Sequence, residues 1–128
     1  MDETAKKKLR AKVMLQAMMF GVQEIAREDP GVQAQLKGWD RILQYSVLPD
    51  GPDMHFVVKD GAISAVHGKN DKASATVQFA DLDTALAIFG RKIDASAAFM
   101  QGKVKLTGEM ADAMKITMVT QLAQAYFT

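Results

Sequence analysis

Hydrophobic and polar positions follow two different periods along this chain, and the switches between them mark its elements. From residue 3 to about 28 apolar side chains recur at helical spacing. Leu9, Val13, Ala17 and Phe20 run beside Met14, Met18, Val22 and Ile25, with Lys8, Lys12, Gln16, Gln23 and Arg27 opposite. Leu15 and Met19 widen the apolar arc beyond one core face, which marks the outer flank of this helix as a surface for homodimer assembly. The stretch 28–31, Glu-Asp-Pro-Gly, ends the helix because Pro30 cannot continue it, and 32–38 adds a short helical turn.

The period then changes to two. Arg41 to Leu48 reads as a first strand, and the Pro-Asp-Gly-Pro-Asp stretch at 49–53 as a turn. Met54 to Lys59 and Ala62 to His67 follow, joined through Asp60-Gly61, a hairpin signal. After a turn at Gly68-Lys69-Asn70-Asp71 comes a fourth strand, Ala73 to Phe79, and the four are expected to run as a meander. Met54, Phe56 and Val58 alternate cleanly, as do Ala75, Val77 and Phe79, so each strand has one buried face. Helical spacing returns from Asp81, a plausible N-cap, to Phe89, and Asp94 caps a short helix to Gln101. A fifth strand, 103–107, lies between Gly102 and Gly108, and a last helix runs from Glu109 to about Tyr126. The expectation is one α+β domain over 1–128: a largely antiparallel five-stranded sheet covered on one face by helices.

Composition narrows the function classes. At 128 residues, 48% apolar and 24% charged, the chain is long enough for a core without staples. With no cysteine there is no disulfide framework and no thiolate metal site. A net charge of +1 lacks the basic excess of a nucleic-acid binder. The first twelve residues carry charges but no long apolar run, so no secretory leader is expected, and the expected location is the cytoplasm. The basic stretch 6–12 on an amphipathic helix suits transient contact with an anionic membrane surface.

Catalytic patterns are missing. There is neither a G-x-S-x-G elbow nor H-E-x-x-H. A phosphate loop at Gly61 and Gly68 fails, because six residues separate the glycines where four are required and Asn70 stands where Ser or Thr must be. His55 and His67 lie on neighbouring strands without a third ligand, which makes a poor metal site. Asp81-Leu82-Asp83, Glu109 and Asp112 read as helix starts. The expectation is a non-enzymatic protein with no cofactor.

The unusual feature is methionine, nine in all, with Met110, Met114 and Met118 repeating once per turn of the last helix and Leu122 following. Such a stripe is usually the face packed on a sheet. Phe99 and Met100 before the fifth strand, and Phe89 at the end of the preceding helix, would bring more large side chains to the same place. Methionine adapts to irregular space.

The stretch 97–116, AAFMQGKVKLTGEMADAMKI, resembles the signature of the sterol carrier protein 2 family, D-x-x-x-A-F-M-x-G-K-h-K-h-x-G-D-h-x-x-A-h-K with h apolar. Asp94, Ala98, Phe99, Met100, Gly102, Lys103, Val104, Lys105, Leu106, Gly108, Met110, Ala113, Met114 and Lys115 match, and Glu109 replaces the usual Asp. The resemblance covers 39–126, with 1–30 as an added amphipathic helix, and suggests a stand-alone member of the prokaryotic type. It implies an apolar tunnel between sheet and helices for fatty acyl, sterol-like or isoprenoid ligands. Its expected lining is Phe79, Phe89, Phe99, Met100, Val104, Leu106, Met110, Met114, Met118 and Leu122. An empty tunnel of ~400 Å³ would cost about 10 kcal/mol by the calibration for core cavities, so side chains able to relax inward are expected there. The alternatives are a protein-interaction or dimerisation module, or an accessory domain serving a lipid or quinone biosynthetic enzyme.

Overall fold

The computed structural model describes residues 1–127. Helix α1 (Glu3–Glu28) starts at Asp2, whose carboxylate accepts the N–H of Ala5 at 2.7 Å. Pro30 does not merely stop it. Asp29 accepts the N–H groups of Gly31 and Val32, and Pro30 opens a second helix, α2 (Pro30–Leu36), at the position where its missing N–H costs nothing. Strands β1 (Arg41–Val47), β2 (Asp53–Lys59), β3 (Ala62–His67) and β4 (Ala75–Phe79) follow. Asp81 and Asp94 cap α3 (Leu82–Phe89) and α4 (Ala95–Met100), as expected from the sequence. Then come β5 (Val104–Gly108), α5 (Met110–Gln124) and a 3-10 turn, Ala125–Phe127.

The sheet order is β3-β2-β1-β4-β5. The first three strands form the expected antiparallel meander, but β4 does not extend it. It passes to the free edge of β1 and pairs there in parallel, Leu43 opposite Ala75 and Val47 opposite Phe79, and β5 then adds antiparallel. The crossing from β3 covers three strand spacings, about 14 Å. Residues 68–74 can span up to about 24 Å, so a segment that reads as a tight turn is long enough to cross. It is held across the outer face of the sheet: the ring of His55 bonds the Gly68 carbonyl at 2.9 Å, Gln44 Oε1 accepts the Asn70 N–H at 2.7 Å, and Ile42 O accepts the Ser74 N–H at 2.9 Å. Alternation of side chains is the same whether β4 joins the free edge of β3 or that of β1, so the pattern alone could not choose.

Helices cover the other face. The inward strand residues are Leu43, Tyr45 and Val47, Met54, Phe56 and Val58, Ile63 and Ala65, Ala75, Val77 and Phe79, and Val104, all buried. Helix α1 lies over β2 and β3 and against α3, while α5 lies over β1, β4 and β5. The buried face of α1 is Ala11, Leu15, Met19, Val22 and Ala26. This corrects the sequence reading. Leu15 and Met19 are wholly inside, and the exposed positions are Leu9, Val13, Ala17 and Phe20. A helix with apolar residues on most of its circumference does not reveal its inner face, and the surface proposed for a dimer was the core.

Candidate ligand-binding site

The residues expected to line a tunnel fall into two groups. On the inner face, Phe79 pairs with Val104 across β4 and β5, and Val77 with Leu106. Phe89, at the end of α3, meets Phe79 edge-on at 5.1 Å. Tyr45, which the sequence did not single out, continues this row, stacked on Phe79 at 6.4 Å and edge-on to Phe56 at 5.8 Å. Burial pushes its phenol well above the ordinary tyrosine value against an opposing hydrogen bond with Thr120, so it stays neutral. Val104 is buried, but Leu106 on the same face is only half-buried. The cover over the inner face is therefore thinnest at β5.

The second group points outward. Ala113, Ile116, Val119 and Ala123 form the buried face of α5. Met110, Met114, Met118 and Leu122 stand on the opposite side at 49%, 61%, 38% and 45% exposure. Phe99 and Met100 on α4 are exposed as well. The methionine stripe is a surface ridge and not the wall against the sheet. Alanines and β-branched residues take the packed face because α5 lies directly on β4 and β5, leaving the longer side chains outside.

A polar cluster that the sequence reading took for a simple helix start anchors α5. Asp112 is buried and accepts the indole N–H of Trp39 at 2.9 Å, the guanidinium Nε–H of Arg41 at 3.0 Å and the hydroxyl of Ser74 at 2.8 Å. Burial raises its pKa, but Trp39, Ser74 and Arg41 together outweigh that and hold the carboxyl below its ordinary value. Lys115 places its ammonium 4.7 Å from the centre of the Trp39 ring. The partners lie 38 to 73 residues away in sequence, which is why no local motif announced them. Gly108 supplies the close approach. Its φ is +84°, and a Cβ there would collide with the Ser74 carbonyl and come within 3.0 Å of Ala75 Cα.

Two open clefts lie elsewhere. One of about 460 Å³ is bordered by Lys8, Leu9, Lys12, Pro52, Asp53 and His67, and the other, about 440 Å³, by Gln23, Arg27, Gln33, Lys37, Ile63 and Ser64. None of the expected lining residues borders either. His55 and His67 do not meet: the register sets His55 opposite Val66 and His67 opposite Met54, on opposite faces of the sheet. Among the described residues no group of three or more His, Cys, Asp or Glu is placed to hold a metal, and no helix is long and apolar enough to cross a membrane.

The profile of the SCP-2 sterol transfer family matches residues 22–121. The chain belongs to this family. The match begins inside α1, earlier than the resemblance placed it. The chain is 40% identical over 70 residues to sterol carrier protein 2 of Oryctolagus cuniculus, which is 53% of this chain and 13% of that protein. The curated relatives it matches are thus several times longer. The solved structure described as UbiJ-SCP2 ubiquinone synthesis protein superposes with a TM-score of 0.62 at 13% identity, covering 90% of this chain and 98% of that one. Palmitated SCP2L2 from Aedes aegypti gives 0.61 at 20% identity, covering 84% of this chain and 90% of that one. Both share the fold. SCP-2 domains are generally carriers and not catalysts, and membership supports binding of lipids or other hydrophobic molecules.

Proposed function

We propose that this SCP-2 protein binds and carries one hydrophobic ligand, an acyl, sterol-like or isoprenoid chain, without chemistry of its own. The observation that carries the reading is the inner face at β4 and β5. It is built from Phe79, Phe89, Val104 and Leu106, and Leu106 is only partly buried beneath the helices. The family and the palmitated neighbour support the same class of cargo. Neither open cleft borders that face, and a lipid needs a pocket of at least about 300 Å³. Loading therefore requires α4 or α5 to lift from β5. Native mass spectrometry of freshly purified protein, repeated under denaturing conditions, tests the reading. A bound species of a few hundred daltons lost on unfolding is the expected result. An apo mass that persists after incubation with fatty acids, sterols and quinones would sink it.

The outward ridge favours a second reading, in which the chain docks on another protein and serves a lipid or quinone biosynthetic enzyme. The UbiJ-SCP2 neighbour is consistent with it. Polar substitutions along Met110, Met114 and Met118 would then abolish association while leaving ligand binding intact.

A further inference from the structure

The sheet ends at β3, which pairs with β2 on one side only. Lys59 and Ala62 close the two-residue turn, so they exchange backbone bonds, and alternation then fixes every later position. Ala62, Ser64 and Val66 face β2, and the Gly68 N–H continues the series by donating to Asp53 O at 2.9 Å. Ile63 and Ala65 therefore turn their N–H and C=O groups away from the sheet. The Ala65 N–H donates to Gln23 Oε1 at 2.7 Å, a side-chain amide of α1 standing where a neighbouring strand would put a carbonyl. Among the described residues, no hydrogen bond reaches the outward N–H or C=O of Ile63. Ile63 as a whole is only 4% exposed, so water reaches little of these groups. Backbone groups left unpaired away from water cost free energy, and an added strand would pair them.

The cleft of about 440 Å³ borders this edge, with Ala26 and Arg27 of α1, Gln33 of α2 and Lys37 beside Ile63. At a rise of about 3.4 Å, a strand spacing of about 4.8 Å and a sheet separation of about 10 Å, one strand residue takes roughly 160 Å³. The cleft thus has room for about three residues of a single added strand. A residue opposite Ile63 or Ala65 turns its side chain to the same face as theirs, toward the helices. On that side two cations and no acid border the cleft. Lys37 makes no ion pair among the described residues, and the Arg27–Glu24 pair is exposed on both sides, so it holds Arg27 weakly. The complementary occupant is one extended segment carrying a carboxylate. A second copy of this chain fits less well, because it would bring the same cations and its own helices to the edge.

We propose that β3 accepts an extended acidic peptide segment of a partner protein as a sixth strand. Its backbone pairs with Ile63 and Ala65, displacing Gln23, and its carboxylate faces Arg27 and Lys37. This edge lies across the sheet from β5, so the proposal stands apart from the carrier reading. The test titrates the isotope-labelled full chain with blocked heptapeptides of alternating threonine and valine, and follows amide shifts by NMR. One peptide carries glutamate in place of its central valine, and the other carries glutamine. The Ile63 and Ala65 amides should shift most, and the glutamate peptide should bind about five-fold tighter, the scale of an exposed ion pair. Arg27→Ala together with Lys37→Ala should bring the two peptides to equal affinity and leave the glutamine peptide unchanged. Gln23→Ala should tighten both by about five-fold, because it removes a competing hydrogen bond. N-methylation of the peptide amides that face the edge should abolish binding. An N-methylated peptide that binds equally, shifts confined to other residues, or no shift at millimolar peptide would each overturn the proposal. So would concentration-dependent shifts at Ile63 without peptide, which would assign the edge to a second copy.

Discussion

Trp39 donates its indole N–H to Asp112 at 2.9 Å, joining the segment before β1 to the first turn of the last helix. Asp112→Ala would leave that buried N–H unpaired and take from Ser74 the shorter of its two hydroxyl bonds. We expect a loss of about 3 kcal/mol, measured by urea unfolding.

The same carboxylate gives a pH dependence. Its pKa is lower folded than unfolded, so the stability it contributes is present above the unfolded value of about 3.9 and is lost as pH falls through the folded value. Unfolding curves between neutral pH and pH 3, followed by the fluorescence of Trp39, should steepen in the acid range for the wild type. Asp112→Asn should flatten that range. An unchanged acid slope in the variant would assign it to other carboxylates.

Gly108 and Gly102 both have positive φ, but only Gly108 has backbone where a Cβ would go. Gly108→Ala should cost about 3 kcal/mol or prevent folding, since two strands must part. Gly102→Ala should cost about 1 kcal/mol, the conformational penalty alone. Melting temperatures of the two variants compare the effects directly.

On α5 the ridge and the packed face should separate cleanly. Met114→Gln and Met118→Gln should change stability by no more than about 0.5 kcal/mol, and Ile116→Ala should cost about 3 kcal/mol. A large loss in the methionine variants would mean that the stripe is core after all.

Helix α1 offers a parallel comparison. Met19→Lys places an ammonium at a site with no solvent access and should unfold the chain, whereas Val13→Lys, at 57% exposure, should leave the melting temperature near that of the wild type. Circular dichroism distinguishes loss of fold from loss of association.

Legibility in the sequence followed the range of the interactions. The caps Asp81 and Asp94 bond N–H groups three residues on, so α3 and α4 were found to within a residue. The Asp60-Gly61 hairpin was equally local, with Asp60 at φ +52°. What depended on distant partners was hidden. Nothing near Asp112 signals Trp39, and nothing near Ala75 says that it will pair with Leu43 in parallel. Both long helices are apolar over so much of their circumference that their inner faces were misread. Met19 was placed outside when it is buried, and Met118 inside when it is exposed. The inward facing of Phe79, Val104 and Leu106 was legible because a period of two leaves only two faces to choose between.

The outward methionines give the surface a chemical vulnerability that the interior lacks. A thioether exposed to solvent is open to oxidants, and the sulfoxide it forms is polar. Met100, Met110, Met114 and Met118 all present sulfur-bearing side chains to solvent, while Met19 and Met54 are sealed at 0% and 1% exposure. Mild peroxide would therefore turn the ridge from apolar to polar and spare the packing that defines the fold. The change is chemically reversible, because methionine sulfoxide can be reduced back to the thioether, and the fold would carry it on this face of α5 without disturbing the core.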